Sequence, residues 1–445
     1  MKTDILILSN APGEVSTWVK PVVKALRAHA PDHDQLRISV MLSPCPHASG
    51  GEADSLRGYP EVDRVQAPQH FFWFLLTGKT VENWDWHPHG AVVFLGGDQF
   101  YAVAAAKRLG YHSVIYAEWE ARWASQVTRF GVMQPSVIDG LKPQYRHKAK
   151  VVGDLMADVK VSLENLEGMQ TQLALTPETE LIGLLPGSKG HKVKVGVPLM
   201  LAIADYLHTR RPHLRFVVPV APTLDIDTLT HYADTDQNPA VSVMQGPKAK
   251  LIKPADPYHL PYLKTETGAK VYLWSAFPAL DLLAQCRLCL TTVGANTAQL
   301  GALAIPMFVL LPTQQLDTMR TWDGLPGTLA RLPGVGTMIS KIINRIMIRV
   351  IQNRNRHFAW PNIWANREVV PELLGRLTAE TVGQQVLDSL ARPETLSNMQ
   401  QTLRQLRGPS GAATQMAEII LDTVDYPVEG REWRVESSRA KSSKF

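Results

Sequence analysis

The alternation of short apolar runs with amphipathic stretches is the feature that most constrains the fold of this chain. In the first half, the runs Asp4–Ser9 and Gln35–Leu42 are typical of β-strands, and the apolar residues of Ser16–His29 have helical spacing. Further strands are predicted at 91–95, 113–116 and 149–152, with a helix at 101–109. Strand–helix–strand alternation predicts a parallel sheet covered by helices, which is an α/β fold.

The second half of the chain starts the same alternation again. Strands are predicted at 181–185, 215–220, 271–274, 288–292 and 306–311, whereas 223–270 has an irregular pattern. We therefore expect two α/β domains, residues 1–175 and 176–371, followed by terminal helices over 372–426 and a polar tail over 427–445. Because open parallel sheets bind ligands at the carboxyl ends of their strands, we expect the site in a cleft between the domains.

The composition excludes several classes of protein. Of the 445 residues, 45% are hydrophobic and 20% are charged, which excludes a disordered chain, a collagen and a coiled coil. No apolar run reaches the ~18–20 residues needed to span a bilayer, and the first strand is too short for a signal-peptide core. Three cysteines cannot form a disulfide scaffold. We expect a cytosolic protein, or one that lies on a membrane without crossing it.

Three turns that connect a predicted strand to a predicted helix have the composition of anion-binding loops. They are 9–16, which contains Gly13, 184–189, which ends in Lys189, and 291–297. Each is also explained as a tight turn before a capped helix. Two of them at neighbouring strand ends predict a phosphate or diphosphate pocket, and none matches the Walker or dinucleotide fingerprint.

Asp98 follows the strand at 91–95, where its carboxylate is placed to act as a general base. The alternative is that Asp98 caps the helix that follows. The pair Cys286 and Cys289 has the spacing of half a zinc site, but no second pair or histidine cluster completes it, so we expect buried structural cysteines.

Two segments have the character of an interaction surface. The segment 70–86 is unusually aromatic and includes Trp73, and the segment near 337–353 predicts an amphipathic helix with basic residues on one face. Each is also explained by packing on the protein itself. The net charge is +5, and an acid-free segment contributes as much through Lys341, Arg345, Arg349, Arg354 and Arg356. This pattern favours an anionic membrane surface over nucleic acid, because aromatic residues do not alternate with the basic ones.

Several segments resemble bacterial lipid-A-disaccharide synthases, in order from residue 9 to about 422. Residues 361–374 resemble the family's Pro-Asn-Ile-Leu-Ala-Gly-Arg…Val-Pro-Glu signature, and 184–189 resemble its Leu-Pro-Gly-Ser-Arg turn. Residues 152–158 resemble its Val-Gly-His-Pro-Leu-x-Asp, and 291–307 its Ser-Gly-Thr-Ala-Thr-Leu-Glu segment and the strand after it. Residues 13–16 resemble its Gly-Glu-Ala-Ser.

The resemblance implies two Rossmann-like domains facing a cleft (GT-B type) and an inverting glycosyltransferase. It further implies a UDP-sugar donor on the second domain, a lipid-linked acceptor on the first, no cofactor or metal, and a peripheral position on the cytoplasmic face of the inner membrane; a homodimer is left open. Asp98, near the family's aspartate, would be the base. The acceptor would contact Gly13, Glu14 and Ser16. The nucleotide-sugar would contact Gly187, Ser188, Lys189, Gly294, Asn296, Thr297, Gln299, Asn362, Arg367 and Glu372.

The chain also departs from the family pattern. Lys189 stands where the family has arginine, and Gln299 and Lys192 stand where it has glutamate. Arginine can bind a phosphate through two parallel hydrogen bonds, whereas lysine offers a single point charge. We therefore interpret the chain as a divergent relative. The alternatives are a soluble nucleotide-sugar enzyme such as an epimerase, and a non-catalytic member that binds a ligand or partner.

Overall fold

The computed structural model describes residues 2–45, 48, 50–159, 166–256, 258–314 and 357–425. The chain divides into two compact units, Met1–Asp158 with Gly411–Phe445, and Val159–Ser410. The predicted basic helix with Lys341, Arg345 and Arg349 and the predicted polar tail lie outside the described residues.

The first unit contains a parallel sheet, in which all the described strands run in the same direction. Its strand order is β3-β2-β1-β4-β5-β6-β7, so the order reverses between β1 and β4. The strands are β1 (Thr3–Ser9), β2 (Leu36–Leu42), β3 (Arg64–Gln66), β4 (His89–Phe94), β5 (His112–Ala117), β6 (Arg129–Val132) and β7 (Ala149–Val151).

Helices cover this first sheet because their apolar faces meet the buried strands. Val22, Val23 and Leu26 pack with Ile5 and Ile38 in one cluster of fully buried side chains. The helices that connect these strands are α1 (Pro12–Glu14), α2 (Lys20–His29), α3 (Glu52–Arg57), α4 (Phe71–Thr77), α5 (Gln99–Leu109) and α6 (Pro135–Asp139). The segment Val15–Val19 between α1 and α2 is a π-helical turn, so the helix predicted over residues 16–29 is confirmed with a wider first turn.

The second unit contains a mixed sheet in the order β10-β11-β12-β9-β8-β13-β14-β15. Its parallel part reverses order between β8 and β13, and β11 pairs antiparallel with both of its neighbours. The strands are β8 (Glu180–Leu185), β9 (Leu214–Pro219), β10 (Ala249–Ile252), β11 (Tyr262–Thr265), β12 (Lys270–Trp274), β13 (Leu288–Thr292), β14 (Met307–Pro312) and β15 (Glu372–Gly375).

The helices of the second unit pack on its sheet in the same manner. Helix α8 is the longest of those described, at 21 residues, and buries Val193, Leu199 and Ile203 against Ile182 and Phe216. The helices are α7 (Leu166–Gln172), α8 (Gly190–Arg210), α9 (Ile226–His231), α10 (Ala240–Val243), α11 (Leu280–Ala284), α12 (Ala295–Ala302), α13 (Trp360–Ala365), α14 (Ala379–Leu390) and α15 (Pro393–Arg407).

The last described helix, α16 (Ala412–Thr423), corrects the predicted domain boundaries. It belongs to the first unit, because Met416 and Ile420 are fully buried in that unit's core. The carboxylate of Asp158 accepts hydrogen bonds from the backbone N–H groups of Gly411 and Ala413, where the chain returns. The predicted first domain, 1–175, thus ends too late, and the predicted block 372–426 is divided between the units.

The sequence pattern also missed short strands. The strands β3 and β6 have three and four residues, too few for a clear periodicity, so the predicted fifth strand, 149–152, is the seventh. The stretch 223–270, expected to be irregular, contains the antiparallel pair β10 and β11. Among the helices that the structure describes, none combines the length and the apolar character needed to cross a membrane.

Candidate functional site

The first unit brings the predicted turn after β1 and the turn after β4 together where its strand order reverses. The turn after β1 contains Asn10 and Glu14, and the turn after β4 contains Gly96. Gly96 has a φ of +129°, and a Cβ placed on it would lie 3.0 Å from Asn10 Oδ1 and 3.2 Å from the Cβ of Glu14. A glycine is therefore needed for the two turns to approach. Such a reversal point is where open α/β sheets bind ligands.

The three predicted acceptor-binding residues have different surroundings in this turn. Gly13 is exposed and Glu14 is partly exposed, whereas Ser16 is buried. The Ser16 hydroxyl donates to the carbonyl oxygens of Pro12 and Gly13, at 2.9 and 3.0 Å. Ser16 therefore stabilises the turn, and Gly13 and Glu14 are the two of these residues that have exposed surface.

Asp98 caps helix α5 with its side chain. Its Oδ1 accepts a hydrogen bond of 2.9 Å from the backbone N–H of Phe100 and lies 3.6 Å from a guanidinium nitrogen of Arg122. The capping alternative is thus confirmed. The carboxylate is still about half exposed at the carboxyl end of β4, so its assignment as a general base stays a prediction.

Glu118 is a residue at the same edge that sequence reasoning missed. It directly follows β5, the neighbour of β4 in the sheet. Burial raises the pKa of Glu118 to about 7, and the nearby carboxylates of Asp154 and Glu14 act in the same direction, against a hydrogen bond with the Trp119 side chain. The available signal was its position two residues after the strand predicted at 113–116, close to a strand end like the turn that carries Asp98.

The second unit places its two predicted anion-binding turns together where its strand order reverses, after β8 and β13. The side chain of Lys192 connects them, since its Nζ donates a hydrogen bond of 2.6 Å to the carbonyl oxygen of Val293. A Cβ on Gly187 would lie 3.2 Å from the Cβ of Lys192, and one on Gly294 would lie 3.3 Å from its Nζ. Both glycines have positive φ, at +97° and +149°, so each turn requires a glycine.

A buried hydroxyl faces the same two turns. Thr292, the last residue of β13, is 8% exposed, and its Oγ1 has no hydrogen-bond partner among the described residues. This oxygen lies 3.2 Å from the position that a Cβ of Gly187 would take. Unpaired buried polar groups are costly and rare, so an unpaired hydroxyl beside a glycine turn indicates a ligand site.

The electrostatics of these turns suit an anion. Ser188 and Lys189 are exposed, Lys189 is the N-cap residue of α8, and the first N–H groups of α8 and α12 lack helical acceptors. Burial and then Lys189 lower the pKa of Lys192, and burial, Lys192 and Lys189 lower the pKa of His191. Besides burial, both shifts reflect repulsion between neighbouring cations, which a bound phosphate would offset.

The residues of α12 have a mixed relation to the site. The Thr297 hydroxyl is buried and donates 2.9 Å to the carbonyl oxygen of Gly294, and it accepts 3.1 Å from the backbone N–H of Trp360. Thr297 thereby fixes the start of α12 rather than facing a ligand. Asn296 and Gln299 are partly exposed on the same helix.

The residues with the closest family resemblance, Asn362 and Glu372, form an internal hydrogen-bond network. Asn362 is fully buried, and its amide contacts the carbonyl of Val370, the carboxylate of Glu372 and two backbone N–H groups. The Glu372 carboxylate also accepts from the N–H groups of Phe358 and Ala359, just before α13. The structure thus gives these two residues a structural role, whereas Arg367 is exposed.

The aromatic segment lies partly in the core and partly on the surface. Within α4, Phe71 and Phe74 are fully buried, whereas Phe72, Trp73 and Leu76 are exposed by 53%, 57% and 71%. One face of the helix is therefore core, and the other is an apolar surface.

The cysteine prediction is confirmed, since Cys286 and Cys289 are buried free thiols. Within the described part of the chain, no group of three or more histidine, cysteine, aspartate or glutamate side chains is arranged to hold a metal ion.

The two sheets define the class of protein, because each has the strand order of a Rossmann-like unit on both sides of its reversal point. Solved structures with this fold include UDP-GlcNAc 2-epimerase from Neisseria meningitidis bound to UDP-GlcNAc, with a TM-score of 0.55, 13% identity and coverage of 94% of this chain and 100% of that one. Another is S. aureus MnaA with UDP, with a TM-score of 0.52, 10% identity and coverage of 96% and 98%. The predicted GT-B type α/β fold class is confirmed.

Curated proteins similar to this chain are named lipid-A-disaccharide synthase, and their low identity supports its interpretation as a divergent relative. The synthase of Anaeromyxobacter sp. (strain K) is 24% identical over 259 residues, 57% of this chain and 52% of that protein. The synthase of Geobacter metallireducens is 23% identical over 332 residues, 71% of this chain and 70% of that protein. The chain spans about half the length of the first curated relatives that it matches. No model of a protein family matches it.

Proposed function

We propose that this chain is an inverting glycosyltransferase that transfers a sugar from a UDP-sugar to a lipid-linked acceptor at a membrane surface. The observation that carries the proposal is the site of the second unit, where an unpaired buried hydroxyl on Thr292 lies beside the Gly187 turn, against which Lys192 also packs. This is the chemistry of a diphosphate site. The relatives named lipid-A-disaccharide synthase support the choice of a glycosyl transfer.

The proposed mechanism is a single displacement at the anomeric carbon. The acceptor hydroxyl is deprotonated by Asp98, its oxygen forms the new bond to the anomeric carbon, and the bond from that carbon to the UDP oxygen breaks. The proton stays on Asp98, and the negative charge stays on the departing diphosphate. Lys189, Lys192 and the starts of α8 and α12 stabilise this charge, so the proposal includes no metal.

The acceptor is assigned to the first unit. Gly13 and Glu14 have exposed surface in the turn after β1, and Asp98 follows β4 at the same edge of the sheet. The exposed apolar face of α4 and the basic residues Lys341, Arg345 and Arg349 are proposed to attach the protein to anionic lipid.

Nucleotide binding followed by an assay of transfer tests this proposal. We expect UDP and UDP-sugars, but not AMP, to raise the melting temperature, since a ligand at ~100 times its dissociation constant stabilises by ~2.7 kcal/mol. UDP release that depends on a lipid-linked sugar acceptor would then support transfer. Isomerisation of the UDP-sugar without acceptor favours the epimerase alternative, and binding without any reaction favours the non-catalytic one. A melting temperature that responds to no nucleotide contradicts the proposal.

A further inference from the structure

Lys192 carries its positive charge to a position that is already electropositive. It is the third residue of α8, and its ammonium group lies beside Gly294, where α12 begins. Helix N-termini carry partial positive charge, so a cation there is unfavourable unless an anion is present. Lys189, one turn earlier, adds a further positive charge, so the two ammonium groups repel each other in the unliganded protein.

No acidic side chain in the described part of the chain compensates these charges. Within the ranges that the structure describes, neither Lys189 nor Lys192 forms a salt bridge, and the Lys192 ammonium contacts a neutral carbonyl, that of Val293. The close packing of Lys192 against Gly187 and Gly294 nevertheless holds the side chain in place. The cation is thus positioned but not neutralised.

The unpaired Thr292 hydroxyl is an independent sign of a ligand at the same point. This side chain is more than nine-tenths buried, and its oxygen faces the Gly187 turn, against which Lys192 also packs. A phosphate oxygen between the turns would accept a hydrogen bond from this hydroxyl and would also contact a charged ammonium group.

We propose that Lys192 makes this site select a diphosphate over a monophosphate, because its ammonium group binds the second phosphate between the two turns. The inference rests on the proposed function, whose donor is a nucleoside diphosphate. One phosphate is satisfied by the N–H groups of one turn and by Lys189. Two linked phosphates reach both turns, and the Lys192 side chain contacts each of the two turns. The resemblance implies a glutamate at this position, so the preference would be a property of this chain.

Isothermal titration of the full-length chain with UDP, UMP and inorganic pyrophosphate tests the inference. The wild type should bind UDP at least ~10-fold more tightly than UMP, as one additional charge-assisted contact implies. Lys192→Met should bring the two affinities within ~3-fold and weaken pyrophosphate binding, with UMP binding preserved. Lys192→Arg, which keeps the charge, should keep the preference, and preserved UMP binding in both variants shows that the site has folded. The matched control is Lys194→Met, on the same helix, which should behave as the wild type.

The outcomes separate this inference from the proposed function. An unchanged ratio of UDP to UMP affinity in Lys192→Met overturns the role of Lys192 and leaves the glycosyltransferase proposal standing. Binding of pyrophosphate that depends on Lys192, without binding of UDP, supports the inference and contradicts the UDP-sugar donor. A wild type that binds neither UDP nor pyrophosphate overturns both.

Discussion

The side-chain amide of Asn362 donates a hydrogen bond of 2.8 Å to the carboxylate of Glu372, ten residues further along the chain. The same carboxylate accepts two backbone N–H groups ahead of α13, which packs on α12 through Pro361 and Gly301. Because α12 directly follows Gly294, this network supports the helix on one side of the proposed diphosphate site. The family-like segment thus acts on the site through the position of α12.

We expect Asn362→Ala to lower the free energy of unfolding by about 1–3 kcal/mol, because it leaves buried partners of the amide unpaired. Denaturant unfolding measures this loss of stability, and a separate UDP titration measures nucleotide binding. The matched variant Arg367→Ala changes an exposed residue and should leave stability unchanged while weakening UDP binding. If Asn362→Ala unfolds like the wild type but no longer binds UDP, Asn362 contacts the nucleotide after all.

Asp98→Asn should reduce transfer at least ~100-fold, because the amide cannot accept the acceptor's proton. Asparagine caps helices about as well as aspartate, so stability and UDP binding should not change. Asp98→Ala should show the same loss of transfer and an additional loss of about 1 kcal/mol in stability, because the cap of α5 is lost. Initial rates and melting curves of the two variants measure this difference, and an active Asp98→Asn enzyme would exclude Asp98 as the base.

Thr292→Val should lower the affinity for UDP while leaving the protein as stable as before or more so. Its hydroxyl has no partner to lose among the described residues, and an apolar isostere avoids the cost of burying it. The control is Thr291→Val, because the Thr291 hydroxyl donates 3.0 Å to the carbonyl oxygen of Thr292. That variant should lose stability instead. Equal UDP affinity in wild type and Thr292→Val would mean that no phosphate of UDP contacts the Thr292 hydroxyl.

Glu118 predicts a pH dependence of stability in the first unit. Its folded-state pKa, raised to about 7 from an ordinary value near 4.5, means that the folded protein binds more protons than the unfolded chain between these values. The free energy of unfolding should therefore decrease as the pH rises from about 4.5 to 7. Glu118→Gln removes the titration, so its stability relative to the wild type should increase over this interval, by up to ~3 kcal/mol.

Melting curves of wild type and Glu118→Gln at pH 5 and pH 8 measure this effect. Glu120→Gln, two residues further along and exposed, is the control and should follow the wild type at both values. A constant difference between wild type and Glu118→Gln would mean that Glu118 titrates at its ordinary pKa.

The proposed attachment to anionic membranes is tested by vesicle sedimentation. Replacement of Phe72, Trp73 and Leu76 by serine removes exposed apolar surface and should weaken binding at all salt concentrations. Replacement of Lys341, Arg345 and Arg349 by glutamine should weaken binding mainly at low salt, because charge attraction is screened. Tyr258→Ser, which changes an exposed aromatic residue of the second unit, is the control. Unchanged sedimentation of both triple variants would contradict the membrane proposal.

The chain order of strands and helices was enough to predict where Gly187, Gly294 and Asp98 lie. Each follows a strand, and the carboxyl ends of parallel strands share one edge. The contact of Lys192 with Val293 could not be predicted in this way, because the two residues are about 100 positions apart. They meet only because β8 pairs with β13. The hydrogen-bond network of Asn362 could not be predicted either, because a sequence does not show which backbone groups a side-chain amide contacts.

The return of α16 to the first unit has a consequence for synthesis on the ribosome. Residues 159–410 are complete before 411–425 emerge, so the second unit has its whole chain first. The buried positions of Met416 and Ile420 in the first core stay unfilled until residues 411–425 have been synthesised. A nascent first unit therefore exposes an apolar groove, and a chain that stops before Gly411 would display this groove permanently to chaperones and proteases.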